Sequence, residues 1–402
     1  MLLILSQVYV PDPASVGQHL ADVAAELVRR GFRVRVLTAA NGYEDPSQRF
    51  PDAEVIDGVE VRRLPFASFG KSSIAVRLAA QGLFVAQALA HAATMPELDG
   101  VIVSTSPPFC GAAGAALAAL RGVPMTYWLM DLNPDQMVAM GRISETSLPA
   151  RVFDALNRVT LRRAARVVVL DRFMRDRVLR KQPVADKLEV MPPWSHEDVV
   201  GDLAHADNPF RRAHALDGRF VVMYSGNHSP ANPLTTLLDA AEQVKDDPRF
   251  LFLFIGGGSG KAEIEQRIQG GARNLRSLPY QPLEALRFSL PAADVHVVSV
   301  GDDVVGIVHP CKAYGAMAVS RPLLILGPRP SHLADLVDRY RIGWQVQHGD
   351  VAGAVQALRA MIALPPAELG EMGRRGAAAI AGDMGRATLR GRFCDVVAST
   401  VR

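Results

Sequence analysis

Short uninterrupted apolar runs, each followed by a turn and a helical pattern, constrain this chain more than anything else in it. Leu2–Leu5 reads as a buried strand. The turn Pro11–Gly17 then leads into a helix from about Gln18 to Arg30, Gly31 stops it, and Arg33–Thr38 is the next strand. This βαβ opening starts a Rossmann-like half. Val101–Ser104, Met125–Leu129, Arg166–Leu170 and Leu188–Met191 continue the rhythm until Pro192 and Pro193 stiffen the exit. After weakly patterned polar residues the rhythm restarts with strands at Phe220–Tyr224, Phe250–Ile255, Val295–Ser299 and Leu323–Leu326. The expectation is an α/β chain with a first domain over 1–194, a linker over 195–208 and a second domain over 209–385. With 402 residues, 49% of them apolar, it can bury two cores.

Charge says little globally, at a net +3, and nothing points to nucleic acid. Locally it is uneven. Arg158, Arg162, Arg163, Arg166, Arg172, Arg175, Arg177, Arg180 and Lys181 face only Asp171 and Asp176 within one stretch. Such a segment is either a set of solvated helix faces or an attraction for an anionic membrane or lipid diphosphate. Between Ser72 and Thr94 a long helical pattern leaves a very wide apolar face, which predicts deep packing or contact with a membrane surface, with Lys71 and Arg77 suited to headgroups. No apolar run is long enough to span a bilayer. Met1 is followed by LLIL without a basic leader, which reads as a first strand. Cys110, Cys311 and Cys394 are few and far apart, with no metal spacing or disulfide framework, which fits a reducing cytoplasm.

Chemistry concentrates in Gly306–Pro328, GIVHPCKAYGAMAVSRPLLILGP. Pro310 is expected at a first helical position, with Lys312 in the first turn and Pro322 ending the helix. A cation there opposes the helix dipole, so something anionic is expected nearby, and amides at a helix start favour phosphate. An ordinary βα unit with a solvent-facing lysine is the plain alternative.

This stretch resembles the donor-binding segment of retaining glycosyltransferases of the GT-B fold, family 4, especially a bacterial branch similar to colanic-acid and O-antigen enzymes. Pro310, Lys312, Tyr314, Ala316–Met317–Ala318 and Pro322 match it. The resemblance implies two facing Rossmann-like domains with an interdomain cleft, and a terminal helix, 386–402, that returns to the first. It implies transfer from a nucleotide-sugar, by family habit a UDP-sugar, to a glycan or polyprenyl-linked acceptor, with no metal and no further cofactor. The protein would be cytoplasmic, or peripheral on the cytoplasmic face of the inner membrane. Lys312 would meet the diphosphate, and His309 and Asp131 the transferred sugar. Gly17, Gly226 and His228 would lie near phosphate, while Gly257 and the LPYQP segment, with Tyr280 or Gln281, would line the nucleotide pocket.

Departures from the pattern are specific. Where many members carry two glutamates, this chain has Ile307 and Gly315; where most carry an arginine and a lysine after the glycine loop, it has Asn227 and Asn232. Asparagine donates hydrogen bonds without charge, which shifts neutralisation onto Lys312. Asp131 and Asp135 also read as turn and capping residues. Two other readings stay open: an epimerase or hydrolase of the same fold, and a non-catalytic nucleotide-sugar-binding assembly partner.

Overall fold

A computed structural model describes residues 1–42, 45, 47–65, 74–196 and 203–401, with backbone alone at 74–78. Lys71 and the Arg77 side chain, assigned above to headgroups, lie outside the described residues. The chain forms two compact α/β units, 1–193 with 387–402, and 194–386.

The first unit holds β1 (Leu2–Leu5), β2 (Val34–Ala39), β3 (Ala53–Ile56), β4 (Val59–Leu64), β5 (Gly100–Ser104), β6 (Met125–Trp128), β7 (Arg166–Val169) and β8 (Leu188–Val190). They lie in the order β3-β4-β2-β1-β5-β6-β7-β8, all parallel except the β3–β4 pair. β1 and β5 are buried at every position because helices cover both faces. The β3–β4 hairpin turns through Asp57 and Gly58, both at positive φ, and carries the exposed edge of the sheet. The closing helix Arg386–Ala398 packs onto this unit, with the Phe393 ring 4.2 Å from that of Trp128 and Arg30 paired to Asp395 at 2.6 Å.

Two segments of this unit singled out in the sequence take definite form. The basic run 158–181 is not one surface: it is the end of the Leu148–Arg163 helix, then buried β7, then the Arg172–Lys181 helix. Its charge is also partly neutralised by acids from outside the run. Asp154 pairs with both Arg158 and Lys181, and Asp135 lies 2.9 Å from Lys181. The wide apolar face within 72–94 divides in two: in the Ile74–Ala93 helix Ala80, Phe84, Ala88 and Ala92 are buried, while Leu83 is exposed. No helix among the described residues is long and apolar enough to cross a membrane.

The second unit holds β9 (Phe220–Ser225), β10 (Phe250–Ile255), β11 (Leu275–Leu278), β12 (Val295–Ser299), β13 (Leu323–Leu326) and β14 (Gly343–Val346), all parallel, in the order β11-β10-β9-β12-β13-β14. Alternation on β10 shows why its six residues are all apolar. Phe250, Phe252 and Phe254 join one core with Leu237, Leu324 and Leu358, whereas Leu251, Leu253 and Ile255 join another with Leu216 and Phe210 on the opposite face. From 203 onward the expected linker is part of this packing. Asn208 is fully buried, its Nδ2 donating to the Phe288 carbonyl at 2.9 Å and its Oδ1 accepting from the Phe210 amide at 2.9 Å.

The chain leaves β9 toward β10 and β11, then returns to place β12 on the other side of β9. Neighbouring connections therefore diverge at the carboxyl ends of β9 and β12, which opens a crevice suited to a ligand.

Candidate functional site

Beyond β9 the chain reaches Gly226, whose φ of +127° suits only a residue without a side chain. A Cβ there would come within 2.5 Å of Lys312 Cε. The glycine therefore makes room for the lysine stem. Two further glycines at positive φ, Gly256 and Gly258, let the loop after β10 lie directly against this one; a side chain would strike the Gly226 carbonyl from Gly256, and Asn227 Oδ1 from Gly258. The loops are then stitched by backbone bonds, His228 N to Gly257 O at 2.7 Å and Gly260 N to His228 O at 2.9 Å.

Lys312 is the first residue of the Lys312–Ala318 helix, whereas a helix begun at Pro310 would have made it the third. The sequence expectation of Pro310 at the helix start is corrected accordingly. Three of the amides expected near a phosphate donate within the turn itself. Cys311 N, Ala313 N and Tyr314 N donate to the carbonyls of His309, Pro310 and Cys311. Helix geometry also ends at Ala318, ahead of Pro322, with Ser320 at positive φ.

The expected anionic neighbour of Lys312 is likewise replaced by neutral groups. Its Nζ donates to the Tyr224 hydroxyl and to the Asn227 carbonyl at 2.9 Å, and lies 4.1 Å from the centre of the Tyr224 ring. Tyr224 is fully buried, and its hydroxyl also donates to the Asn227 carbonyl at 2.8 Å. Desolvation dominates, pushing the lysine down to about 7, against a small opposing effect of Cys311. Burial pushes the Tyr224 phenol up, so it stays protonated and supplies no counter-charge. His228, 1% exposed, is pushed down to about 4 by burial first, with Lys312 and Lys261 adding to the shift. It is therefore neutral near pH 7, and its buried Nε2 has no hydrogen-bond partner among the described residues.

The remaining donor-side candidates divide by what their polar atoms already do. Asn227 contributes its carbonyl, and its side chain is exposed. Tyr280 is 60% exposed with its ring over Gly257, where a Cβ would lie 3.1 Å from the ring edge. Gln281 folds back onto the Pro279 carbonyl at 3.0 Å. Lys261 is held on the carbonyls of Gly256 and Leu278, at 2.8 and 3.1 Å, and so closes the strand ends. Ile307 is buried in the core.

His309 and Tyr314 belong to a hydrogen-bonded row that includes a residue the sequence reading missed. Tyr314 Oη lies 2.6 Å from His309 Nε2 and 2.8 Å from His332 Nε2, and the two imidazole centres are 4.2 Å apart. Tyr314 is 1% exposed, so its hydroxyl is committed to fixing the imidazoles. His332 opens the helix capped by Ser331, and only that Ser-His step at a helix start marked it in the sequence.

In the first unit, Asp131 lies just past β6, with its amide donating to Thr105 Oγ1 at 3.2 Å; the Met130 amide shares that acceptor at 3.3 Å. Thr105 thus sets the strand-end turn. Asp135 is committed to Lys181 at 2.9 Å. Gly17 sits inside the Ser15–Arg29 helix, where a Cβ would be 3.0 Å from Tyr9 Cα, so its bare backbone packs against the turn after β1.

Residues 15–194 match the family described as Glycosyl transferase 4-like domain. WcaI of Escherichia coli, named provisionally as a colanic acid biosynthesis glycosyl transferase, is 26% identical over 381 residues, 90% of this chain and 92% of the relative. A D-inositol 3-phosphate glycosyltransferase of Segniliparus rotundus is 25% identical over 372 residues, covering 87% of this chain and 79% of that protein. Among solved structures, Anabaena HepE in complex with UDP and glucose superposes with a TM-score of 0.73 at 17% identity, over 99% of both chains. WaaG, a glycosyltransferase involved in lipopolysaccharide biosynthesis, gives 0.72 at 13% identity, again over 99% of both. The chain thus has the GT-B fold, and residues 15–194 are similar to the Glycosyl transferase 4-like domain.

Proposed function

We propose that this chain is a retaining glycosyltransferase that moves a sugar from a nucleotide-sugar, UDP-sugars first, to a glycan or lipid-linked acceptor in cell-surface polysaccharide assembly, on the cytoplasmic side. The observation that carries the reading is Lys312, an ammonium held by two neutral acceptors and pushed down to about 7. A diphosphate placed against it supplies the missing negative charge. As the glycosidic bond breaks, charge grows on the departing diphosphate oxygen, and a fixed cation there lowers the barrier. The neutral His228 imidazole adds a donor or acceptor without competing for protons. The exposed Tyr280 ring offers a face for the base. His309, held by Tyr314, and Asp131 orient the transferred sugar. The retaining outcome and lack of a metal come from the family resemblance, with Lys312 in the role of the cation.

Lys312→Ala tests this directly. Losing one preorganised charge costs about 3–4 kcal/mol of transition-state stabilisation, so turnover should fall by roughly 10²–10³. UDP-glucose should raise the melting temperature of the parent protein and much less that of the variant. Near-normal turnover in the variant removes Lys312 from the mechanism.

A further inference from the structure

His332 stands outside the donor segment, yet it is built into the same packing as His309. It is the first residue of the His332–Tyr340 helix, whose Ser331 cap is 1% exposed and accepts from the Ala334 amide at 3.3 Å. Leu333, Ala334, Leu336 and Val337 are buried and anchor that helix in the unit. The His332 imidazole therefore projects from a fixed backbone. Tyr314 is placed as firmly, buried on the Lys312–Ala318 helix. Its ring lies 23° from the plane of the His309 ring, which in turn has its centre 4.2 Å from that of His332.

The protons of this row are not independent. Tyr314 Oη lies 2.6 Å from His309 Nε2 and 2.8 Å from His332 Nε2. A phenol has one proton to give, so it can donate to one imidazole and accept from the other. Hydroxyl donors reach closer than N–H donors, which assigns the shorter contact to the Tyr314 hydroxyl donating to His309 Nε2. The longer contact is then His332 Nε2–H donating to Tyr314 Oη, since a bare nitrogen there would face a lone pair. A neutral imidazole whose Nε2 accepts carries its proton on Nδ1. The row thus runs in one direction, from His332 through Tyr314 to His309, and makes His309 a donor at Nδ1.

We infer that His332 is a positioning residue for His309: acting through Tyr314, it fixes the orientation of that imidazole and keeps its proton on Nδ1, so that His309 meets a sugar hydroxyl as a hydrogen-bond donor. Free imidazole in water favours the proton on Nε2, so the row holds His309 in its less common form. The sugar-side part rests on the reading above that His309 faces the transferred sugar; the assignment of the protons does not.

The tautomers can be read without substrate, from long-range correlations between ring nitrogens and carbon-bound ring protons in the nitrogen-15-labelled full chain at pH 8, with His309→Ala and His332→Ala assigning the signals. The parent should show His309 protonated on Nδ1 and His332 on Nε2. In His332→Ala the His309 signals should move toward the Nε2 form of free imidazole. His332→Gln, whose amide nitrogen stands the same number of bonds from Cα and also donates, should keep the parent pattern. Calorimetric binding gives the second readout. His332→Ala should weaken UDP-glucose by about fivefold, within the range for one hydrogen bond, while UDP, which lacks the sugar, should bind within twofold of the parent; His332→Gln should restore both values. The inference is overturned if the parent His309 carries its proton on Nε2, if His332→Ala leaves that tautomer unchanged, or if UDP and UDP-glucose lose equally, which would mark a merely structural residue. A parent that binds neither nucleotide would sink the donor-site reading instead, and the tautomers alone would then decide what His332 does.

Discussion

Because Lys312 is pushed down to about 7 by burial, donor binding should depend on pH in a way an ordinary lysine would not allow. Suppose a bound diphosphate returns it to the usual lysine range near 10.5. The free protein then holds the proton only below about pH 7, while the complex holds it throughout the neutral range. Binding above pH 7 must take up a proton, and affinity falls as pH rises. From pH 6.5 to 8.5, linkage between values near 7 and 10.5 gives a decrease of about 25-fold. His228, pushed down to about 4, contributes nothing in this window. UDP-glucose suits the measurement because its doubly esterified diphosphate does not titrate there. Calorimetry in two buffers of different ionisation enthalpy, across that range, gives affinity and proton uptake together. Lys312→Arg should flatten the profile, since guanidinium stays charged. A parent affinity constant within twofold between pH 6.5 and 8.5, without proton uptake, would refute the argument that desolvation governs this lysine.

Two further predictions follow from close contacts and committed ion pairs. Gly226→Ala combines unfavourable φ with a Cβ 2.5 Å from Lys312 Cε, so it should lower the melting temperature by several degrees, for a strain of about 1–3 kcal/mol, and abolish the stabilisation given by UDP-glucose. Adding Lys312→Ala should restore part of the melting temperature without restoring binding, whereas no recovery would place the strain entirely in the backbone. Asp131→Asn should lower turnover by about 10² with little change in melting temperature. Asp135→Asn, which removes one of two carboxylates on Lys181, should do the reverse, costing about 1 kcal/mol of stability at unchanged turnover. An exchanged pattern would put the catalytic assignment on the wrong carboxylate.

The central strands were legible because their environment writes itself directly into composition. A strand covered on both faces must be apolar at successive positions, as β1, β10 and β13 are. The β3–β4 hairpin escaped the sequence reading for the opposite reason. Half of β3 faces solvent, so its apolar signal is thin, and Asp57–Gly58 was the only strong mark of the turn. The start of the first long helix was likewise displaced. Its cap position is Ala14, which offers no side-chain oxygen, so the usual signal was missing at Ser15.

At the site, the identity of Lys312 was legible but its condition was not. A lysine in a first turn points to a balancing anion, because helix dipoles and charges can be read locally. The structure balances it through Tyr224, 88 residues away, and through a carbonyl in a loop beyond it. Tyr224 ends an apolar strand, where tyrosine reads as a β-former with a buried ring, and nothing local reveals that its hydroxyl faces an ammonium. Gly226 was noticed for its possible approach to phosphate, yet its missing side chain first admits the lysine stem. Both facts have the same consequence. A folded chain that packs a cation among dipoles without a carboxylate accepts a desolvation cost that a ligand can relieve, and the relief comes only from something bearing negative charge. On the proposed function, selectivity for an anionic leaving group would begin where Lys312 meets Tyr224 near the end of β9, before any group touches the substrate.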